Sequence, residues 1–289
     1  MPDAALALPE SWRSFRTAAW LGWQIESNWT RPHLFALYAI AKPLAAAGII
    51  VMMYAAISGG TFTTPVFAYV YLGSTFYGYV GAVMTGMAFS VIEDRERYSM
   101  LRAIYVAPGD FRWYLVGRGV ARFMTASVSV AITLTVGVVF LDLRINPGTI
   151  NVASFLLAML LGMVMLAALG LLLSGVILTV AHQSWAFGEA AAGALYLFSG
   201  ALFPLNVLPG FLQSVGYVLP LTYWLELLRR SLLGSTIPAF PGLASVSDLQ
   251  LAAIVAGLTG VLVAMSLLVF SVCEAQARER GLIDRTTNY

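Results

Sequence analysis

The densest run of ionisable side chains in this 289-residue sequence is Glu93-Asp94-Arg95-Glu96-Arg97, followed by Tyr98, Ser99 and Arg102 and then by Arg112, Arg118 and Arg122. Charges of both signs packed this closely suit a docking surface or a solvated loop more than proton transfer in a dry pocket. Met100, Leu101, Ile104 and Tyr105 follow at i, i+1, i+4 and i+5, so a short helix with one apolar face is expected there, its start capped by the acidic residues. Farther on, Glu226 stands four residues before Arg230, the spacing of an ion pair on one helix face, worth about 0.3–0.5 kcal/mol where exposed. Other chemistries lack their residues. The only lysine, Lys42, is followed by Pro43, so the G-x-x-x-x-G-K-[ST] phosphate cradle is missing. No serine sits between glycines as G-x-S-x-G. His33, His182 and Cys273 are too few for a self-contained zinc site, and Cys273 has no partner for a disulfide within the chain. Neither catalytic residues nor a metal site is expected.

These side chains are held by an overwhelmingly apolar chain. Sixty per cent of its residues are hydrophobic and 10% charged, against about 25% charged in an ordinary soluble domain. The mean hydropathy is +0.82. A soluble globular enzyme is excluded, and a net charge of +2 is too balanced for a nucleic-acid binder. Each bilayer-spanning helix needs about 20 mainly apolar residues, and charge-free runs locate them. Leu34 to Ile57 and Val66 to Ile92 form a hairpin about the turn signals Ser58-Gly59-Gly60 and Thr64-Pro65. A third span fits between Arg122 and Asp142, a fourth from Val152 to Val180, a fifth from Trp185 and a sixth from Leu249 to Val272. A continuous helix over the uncharged stretch Ala190 to Leu225 would be roughly 54 Å long against a core of about 30 Å. It must break, and Phe203-Pro204, Pro209-Gly210 and Pro220 supply the breaks. Short helices dipping into one face are expected at Phe211 to Val218 and Leu221 to Leu233.

Charge asymmetry gives the orientation. Arg13, Arg16 and Arg31 precede the first span; Arg95, Arg97, Arg102, Arg112, Arg118 and Arg122 lie between the second and third; Arg278, Arg280 and Arg285 follow the last. Arg144, Arg229 and Arg230 fall on the other face. The positive-inside rule then puts both termini in the cytoplasm. Met1 to Leu8 is short, carries Asp3 and lacks a basic start, so no cleavable signal peptide is expected. Trp12, Phe15, Ala19, Trp20 and Trp23 recur at helical spacing, as in a helix lying at the membrane interface, and Trp113, Trp185 and Trp224 near span ends fit an aromatic belt. The fold class expected is therefore an all-α polytopic membrane protein: six transmembrane helices, both ends inside, an N-terminal interfacial amphipathic helix, and re-entrant helices before the last span. Its parts are 1–33 (interfacial helix), 34–92 (spans one and two), 93–118 (charged cytoplasmic segment), 119–203 (spans three to five), 204–248 (outer re-entrant lid), 249–272 (span six) and 273–289 (tail).

Two motifs carry a family resemblance. The segment Glu93 to Ser99, with Ala107-Pro108 and Tyr114-Leu115-x-Gly117-Arg118 after it, is similar to the cytoplasmic coupling segment of type-2 ABC (ATP-binding-cassette) export permeases. Phe198 to Pro209, then Leu219-Pro220-Leu221-Thr222-Tyr223 and Glu226-Leu227-Leu228-Arg229-Arg230, resembles that family's late signature. The family commonly has Gly-Thr where this chain has Tyr98-Ser99. The resemblance implies a half-transporter in the inner or plasma membrane: two permeases, expected to be identical, enclosing a pathway through lipid, and two copies of a separate ABC ATPase carrying ATP and magnesium. It implies outward export of drug-like or lipid-like amphiphiles, with export of a lipid-linked glycan, or an ion-coupled secondary carrier, as the alternatives. It places Glu93, Glu96, Arg97, Tyr98 and Ser99 against the ATPase, and Phe203, Pro204, Pro209, Pro220, Glu226 and Arg230 in an outer lid. Tyr69, Phe76 and Tyr77, in a second span dense in aromatics and glycines, are expected to line the pathway. Alanine at each of these three should change cargo movement in reconstituted vesicles while ATPase assembly is retained; unchanged movement in all three rejects the assignment.

Overall fold

A computed structural model describes residues 10–28, 32–58, 65–107, 109–143, 145, 147–180, 184–234 and 243–283. The turn signals at 58–60 and 64–65 lie largely outside the described residues, as do Arg31, Pro108, Arg144, His182 and Arg285 and the side chains of His33 and Lys42. Among the described residues the chain is helical and contains no strand: α1 Glu10–Asn28, α2 Pro32–Ser58, α3 Pro65–Tyr79, α4 Gly86–Ile92, α5 Leu101–Val106, α6 Phe111–Phe140, α7 Val152–Thr179, α8 Ser184–Phe198, α9 Gly210–Val218, α10 Pro220–Leu233 and α11 Asp248–Glu279.

Among the described residues four helices are long and apolar enough to cross a membrane: Pro65–Arg97, Phe111–Phe140, Val152–Thr179 and Asp248–Glu279. The other two expected crossings fall on α2 and α8. α2 runs over the 27 residues Pro32–Ser58 with Pro43 inside it, and its stretch Pro43–Ala56 is apolar. In α8 the helix stops after 15 residues at a turn in which Gly200 has φ 71°.

The boundaries at the charged segment also differ from the sequence reading. The second span does not end at Ile92. It continues as one rod to Arg97, with π-helical turns at Val80–Thr85 and Glu93–Arg97. The third does not wait for Arg122 but starts at Phe111, where Asp110 caps it by accepting from the Arg112 N–H at 2.8 Å. At 30 residues α6 is roughly 45 Å long, longer than a hydrocarbon core of about 30 Å. Its arginines at 112, 118 and 122 therefore occupy the excess, an arrangement that burial of apolar length alone could not reveal. The acidic residues do not cap α5 either. Its N-cap is Met100, with no side-chain bond, and Glu93 to Arg97 belong to the preceding helix.

α1 runs alongside the arginine-bearing turns of α6, and this is among the most extensive helix pairs in the chain. Its small residues make the contact: Ala18 is buried, and a Cβ on Gly117 would stand 2.9 Å from the Ala18 Cβ and from the Ala19 nitrogen. The tryptophans face the other way, Trp12, Trp20 and Trp23 all being exposed. The indoles are thus not the packing face; backbone approach over small residues is. α3 and α4 fill the centre of the bundle, their helix being the most buried of the four candidate spans. Replacing Gly117 with Val should pry α1 from α6 at a cost of about 1–3 kcal/mol of overpacking, read as a lowered thermal midpoint of the purified chain, while Val at the open Gly257 should leave it unchanged.

Candidate functional site

Two clusters of buried charge lie at opposite ends of the bundle. At the first, the π turn at Glu93–Arg97 inserts an extra residue per turn and swings Asp94 and Arg95 inward, so that Asp94 is 0% and Arg95 3% exposed. On α6, Tyr114, Arg118 and Arg122 recur every four residues and meet them. The Tyr114 hydroxyl donates to Asp94 Oδ2 at 2.9 Å and Arg118 Nη1 donates to the Tyr114 oxygen at 3.2 Å. Arg118, 1% exposed, stands 3.8 Å from Asp94 and 3.6 Å from Glu93. Arg122 bridges Glu93 at 3.7 Å and Glu26 of α1 at 3.2 Å. Arg95 pairs with Glu96 at 3.1 Å and donates to the Val180 carbonyl, at the end of α7, at 3.4 Å.

This divides the five residues singled out in the charged segment. Glu93 and Glu96 are half-buried and turned into the internal network. Arg97, Tyr98 and Ser99 are exposed, with the Arg97 guanidinium 5.5 Å from the Tyr98 ring centre and Ser99 at φ 51°. They form the tip where the chain turns from the long rod into α5. Below the tip Leu101 is buried, and burial, with the Glu274 carboxylate adding to it, holds the Tyr105 phenol above its ordinary value of 10.0, so it is neutral. Asp94, Tyr114 and Arg118 stand in the motifs quoted from the sequence but were given no part in the site; the four-residue stripe 114, 118, 122 was the signal that could have brought them together.

At the second cluster the adjacent Arg229 and Arg230 of α10 are 3% and 5% exposed. Arg229 serves the carbonyls freed where α8 ends: Nη2 donates to Gly200 O at 2.8 Å and Ala201 O at 3.2 Å, while Nε donates to Tyr69 O at 3.2 Å. Its guanidinium lies 3.5 Å from the Tyr69 ring centre, and the Tyr69 hydroxyl donates to Gly200 O at 3.0 Å. Gly73 makes room, since a Cβ there would overlap the Ala201 oxygen and Arg229 Nη2. Arg230 pairs with Glu226 at 3.0 Å and Asp248 at 3.3 Å and donates to Val246 O at 2.6 Å and Leu243 O at 2.5 Å. The 226–230 pair expected from its spacing is present, but buried within a wider network in which Arg229, expected only as a face charge, also takes part. Phe203 is exposed at 42%. Pro204 and Pro209 precede the 3-10 turn Leu205–Val207 and α9, and Pro220 opens α10, positions where proline's missing N–H costs nothing. A cavity of about 40 Å³ beside Arg229 is lined by Tyr69, Asn206, Tyr217, Thr222 and Glu226, room for roughly one or two waters.

The three pathway aromatics separate likewise. Tyr69 is held in the Arg229 cluster. Phe76 is 1% exposed, packed between Tyr79 and Phe155 at 6.5 and 6.2 Å. Tyr77 is half-buried, donates to the Ala192 carbonyl of α8 and lies 4.5 Å from the Tyr196 ring.

With the geometry in view, comparison with known proteins decides the family. The pattern of the ABC-2 type transporter family matches residues 14–233, most of the chain, including both clusters apart from residues beyond α10. The chain belongs to the ABC-2 type transporter family. No curated protein matches it. The permease is thus the membrane domain of an ABC transporter and a multi-pass membrane protein, and membership implies an ABC ATPase as partner. In this permease Arg229→Leu should strand the Ala201 carbonyl and leave Gly200 with the Tyr69 hydroxyl alone, costing about 1–3 kcal/mol, measurable as a lower thermal midpoint. Arg229→Lys should restore only part, because an ammonium cannot fork across three acceptors.

Proposed function

We propose that the chain is one half of an ATP-driven exporter that moves amphipathic, drug-like or lipid-like molecules outward, with a second identical permease and two ABC ATPase subunits that bind ATP and magnesium. In this reading α2 and α8 complete six crossings in the inner or plasma membrane, both termini and the Arg97-Tyr98-Ser99 tip are cytoplasmic, and the 204–248 segment is the outer lid.

The observation that carries the reading is the tip itself. Three exposed residues stand on a base of buried ion pairs that joins α1, the α3–α4 rod and α6. A push on the tip would reach all three helices, because breaking a buried charge pair costs far more than moving it intact, about 3–5 kcal/mol. The open strip of the long rod at Gly78 and Gly81, where an added Cβ would meet nothing within 4 Å, with Tyr77 beside it, is the lining we favour; Tyr69 and Phe76 would act on it through packing. An apolar wall of this kind suits amphiphiles, whose tails need no polar partners.

The test is made on the permease purified with its ATPase. Arg97→Glu, at an exposed tip residue, should fold normally and lower cargo efflux by about tenfold while hydrolysis continues, the size of an ordinary coupling free energy of 1–3 kcal/mol. Glu96→Lys should do the same and also lose stability, since Arg95 is then left facing a like charge. Wild-type efflux in both variants, or vigorous efflux by the permease alone in vesicles without nucleotide, would refute the reading.

A further inference from the structure

The two charge clusters are joined by helices that run between them without a break. α7 and α11 form the most extensive helix pair in the molecule, and neither contains a proline. At the tip end, Arg95 donates to Val180 at the α7 C-cap. Beside it, Arg112 of α6 stands 4.0 Å from Glu274 of α11, and Glu274 accepts from Arg278 at 2.7 Å. The Arg278 guanidinium lies 4.9 Å from the ring centre of Tyr105 on α5. Phe111 completes the seat, 4.7 Å from Tyr105 and 6.2 Å from Phe270. Ala277 is 0% exposed. Gly281, at φ 64°, turns the chain so that the Leu282 N–H reaches Ala277 O at 2.9 Å and the Leu282 side chain returns to the core.

At the far end the same two helices are fastened to α10. Asn151 N–H, the α7 N-cap, donates to Ser231 O at 2.9 Å. Trp224 Nε1 donates to Ala158 O at 2.7 Å. Asp248, opening α11, pairs with Arg230. With 32 residues, α11 is roughly 48 Å long, enough to reach from one cluster to the other.

We propose that the α7–α11 pair is the strut that carries displacement of α5 to α10 and the lid, with Glu274 and Arg278 as the positioning residues that seat α5 on it. This rests on the function proposed above and goes past it: α11 lies beyond the residues matched by the family. Two structural facts favour this route over the central rod. α5 has six residues with only Leu101 fully buried, so its movement must be handed to a neighbour, and Tyr105 on Arg278 is the contact that does so. The α3–α4 rod carries a π turn at Val80–Thr85, a place where axial displacement is absorbed by bending, whereas α7 and α11 are unbroken α-helix.

Contiguity alone does not establish coupling, so the test alters one end and reads the other. In the complex with its ATPase, reconstituted in phosphatidylethanolamine–phosphatidylglycerol nanodiscs, the single native thiol is removed by Cys273→Ser. An environment-sensitive fluorophore is placed at the exposed Val207 by Val207→Cys. Nucleotide trapping should shift its emission. Glu274→Gln and Arg278→Met should each shrink that shift by about fivefold or more while ATPase binding and hydrolysis persist, and Arg278→Lys should restore most of it. A merely structural role would lower stability in the variants without separating hydrolysis from the Val207 signal. A full shift in both variants, or no shift in the unsubstituted seat while the bound ATPase hydrolyses ATP, overturns the strut. Failure of the unaltered chain to bind any ABC ATPase would instead refute the function proposed above, and the strut with it.

Discussion

A guanidinium withdrawn from water must find acceptors, and in this chain four arginines are withdrawn almost completely. Arg95, Arg118, Arg229 and Arg230 are each no more than 5% exposed. None could be tolerated there without the carboxylates and carbonyls that surround it. The requirement is mutual: the Gly200 and Ala201 carbonyls exist as free acceptors only because α8 ends there, and α8 can end there only because Arg229 satisfies them. Helix ends that would be prohibitively expensive inside an apolar bundle become sites of attachment.

The same pairing explains how an apolar chain acquires definite geometry. Apolar helices slide and rotate against one another at little cost, since lipid and protein interiors offer similar contacts. Charge pairs do not slide. Glu26, Glu93 and Asp94 against Arg118 and Arg122 fix the register of α1, the long central rod and α6 at one end. Tyr69, Gly200 and Glu226 against Arg229, with Asp248 against Arg230, fix α3, α8, α10 and α11 at the other. Between the clusters the packing is aromatic and small-residue, with Tyr79 stacked on Phe123 and Trp224 bonded to Ala158. The bundle is pinned by charge at its two ends, while its middle is tied by single neutral hydrogen bonds such as Tyr71 to the Thr133 carbonyl and Tyr79 to Ser127, a suitable construction for a membrane domain that must rearrange without unfolding.

Most of the helices were legible in the sequence because their cause is local. Uncharged length locates α7 and the start of α11 to within a residue, although α11 runs on to Glu279, past the expected end at Val272, and prolines at 204, 209 and 220 mark the segment in which the chain must turn repeatedly. Where the reading went astray, the cause was non-local. Arg112, Arg118 and Arg122 looked like the end of a loop, and they sit on the first three turns of α6, because a helix may carry charge wherever another element supplies the counter-charge. The tryptophans of α1 stay outside, as on a helix at the membrane interface, but that its inner face would meet α6 through Ala18 and Gly117 depended on residues far along the chain.

Composition and spacing by themselves determined that this chain is a helical membrane protein with a charged segment near residue 95 and a proline-broken segment after residue 200. These follow from hydration, which penalises each residue according to its own chemistry. Which charges are buried, and against what, was decided only by the tertiary structure. Asp94 and Arg97 are three residues apart and equally charged on paper. A π turn and the stripe of Tyr114, Arg118 and Arg122 put one at the centre of a network and leave the other at the surface, because the cost of a charge depends on the partners that the fold brings to it from far along the chain.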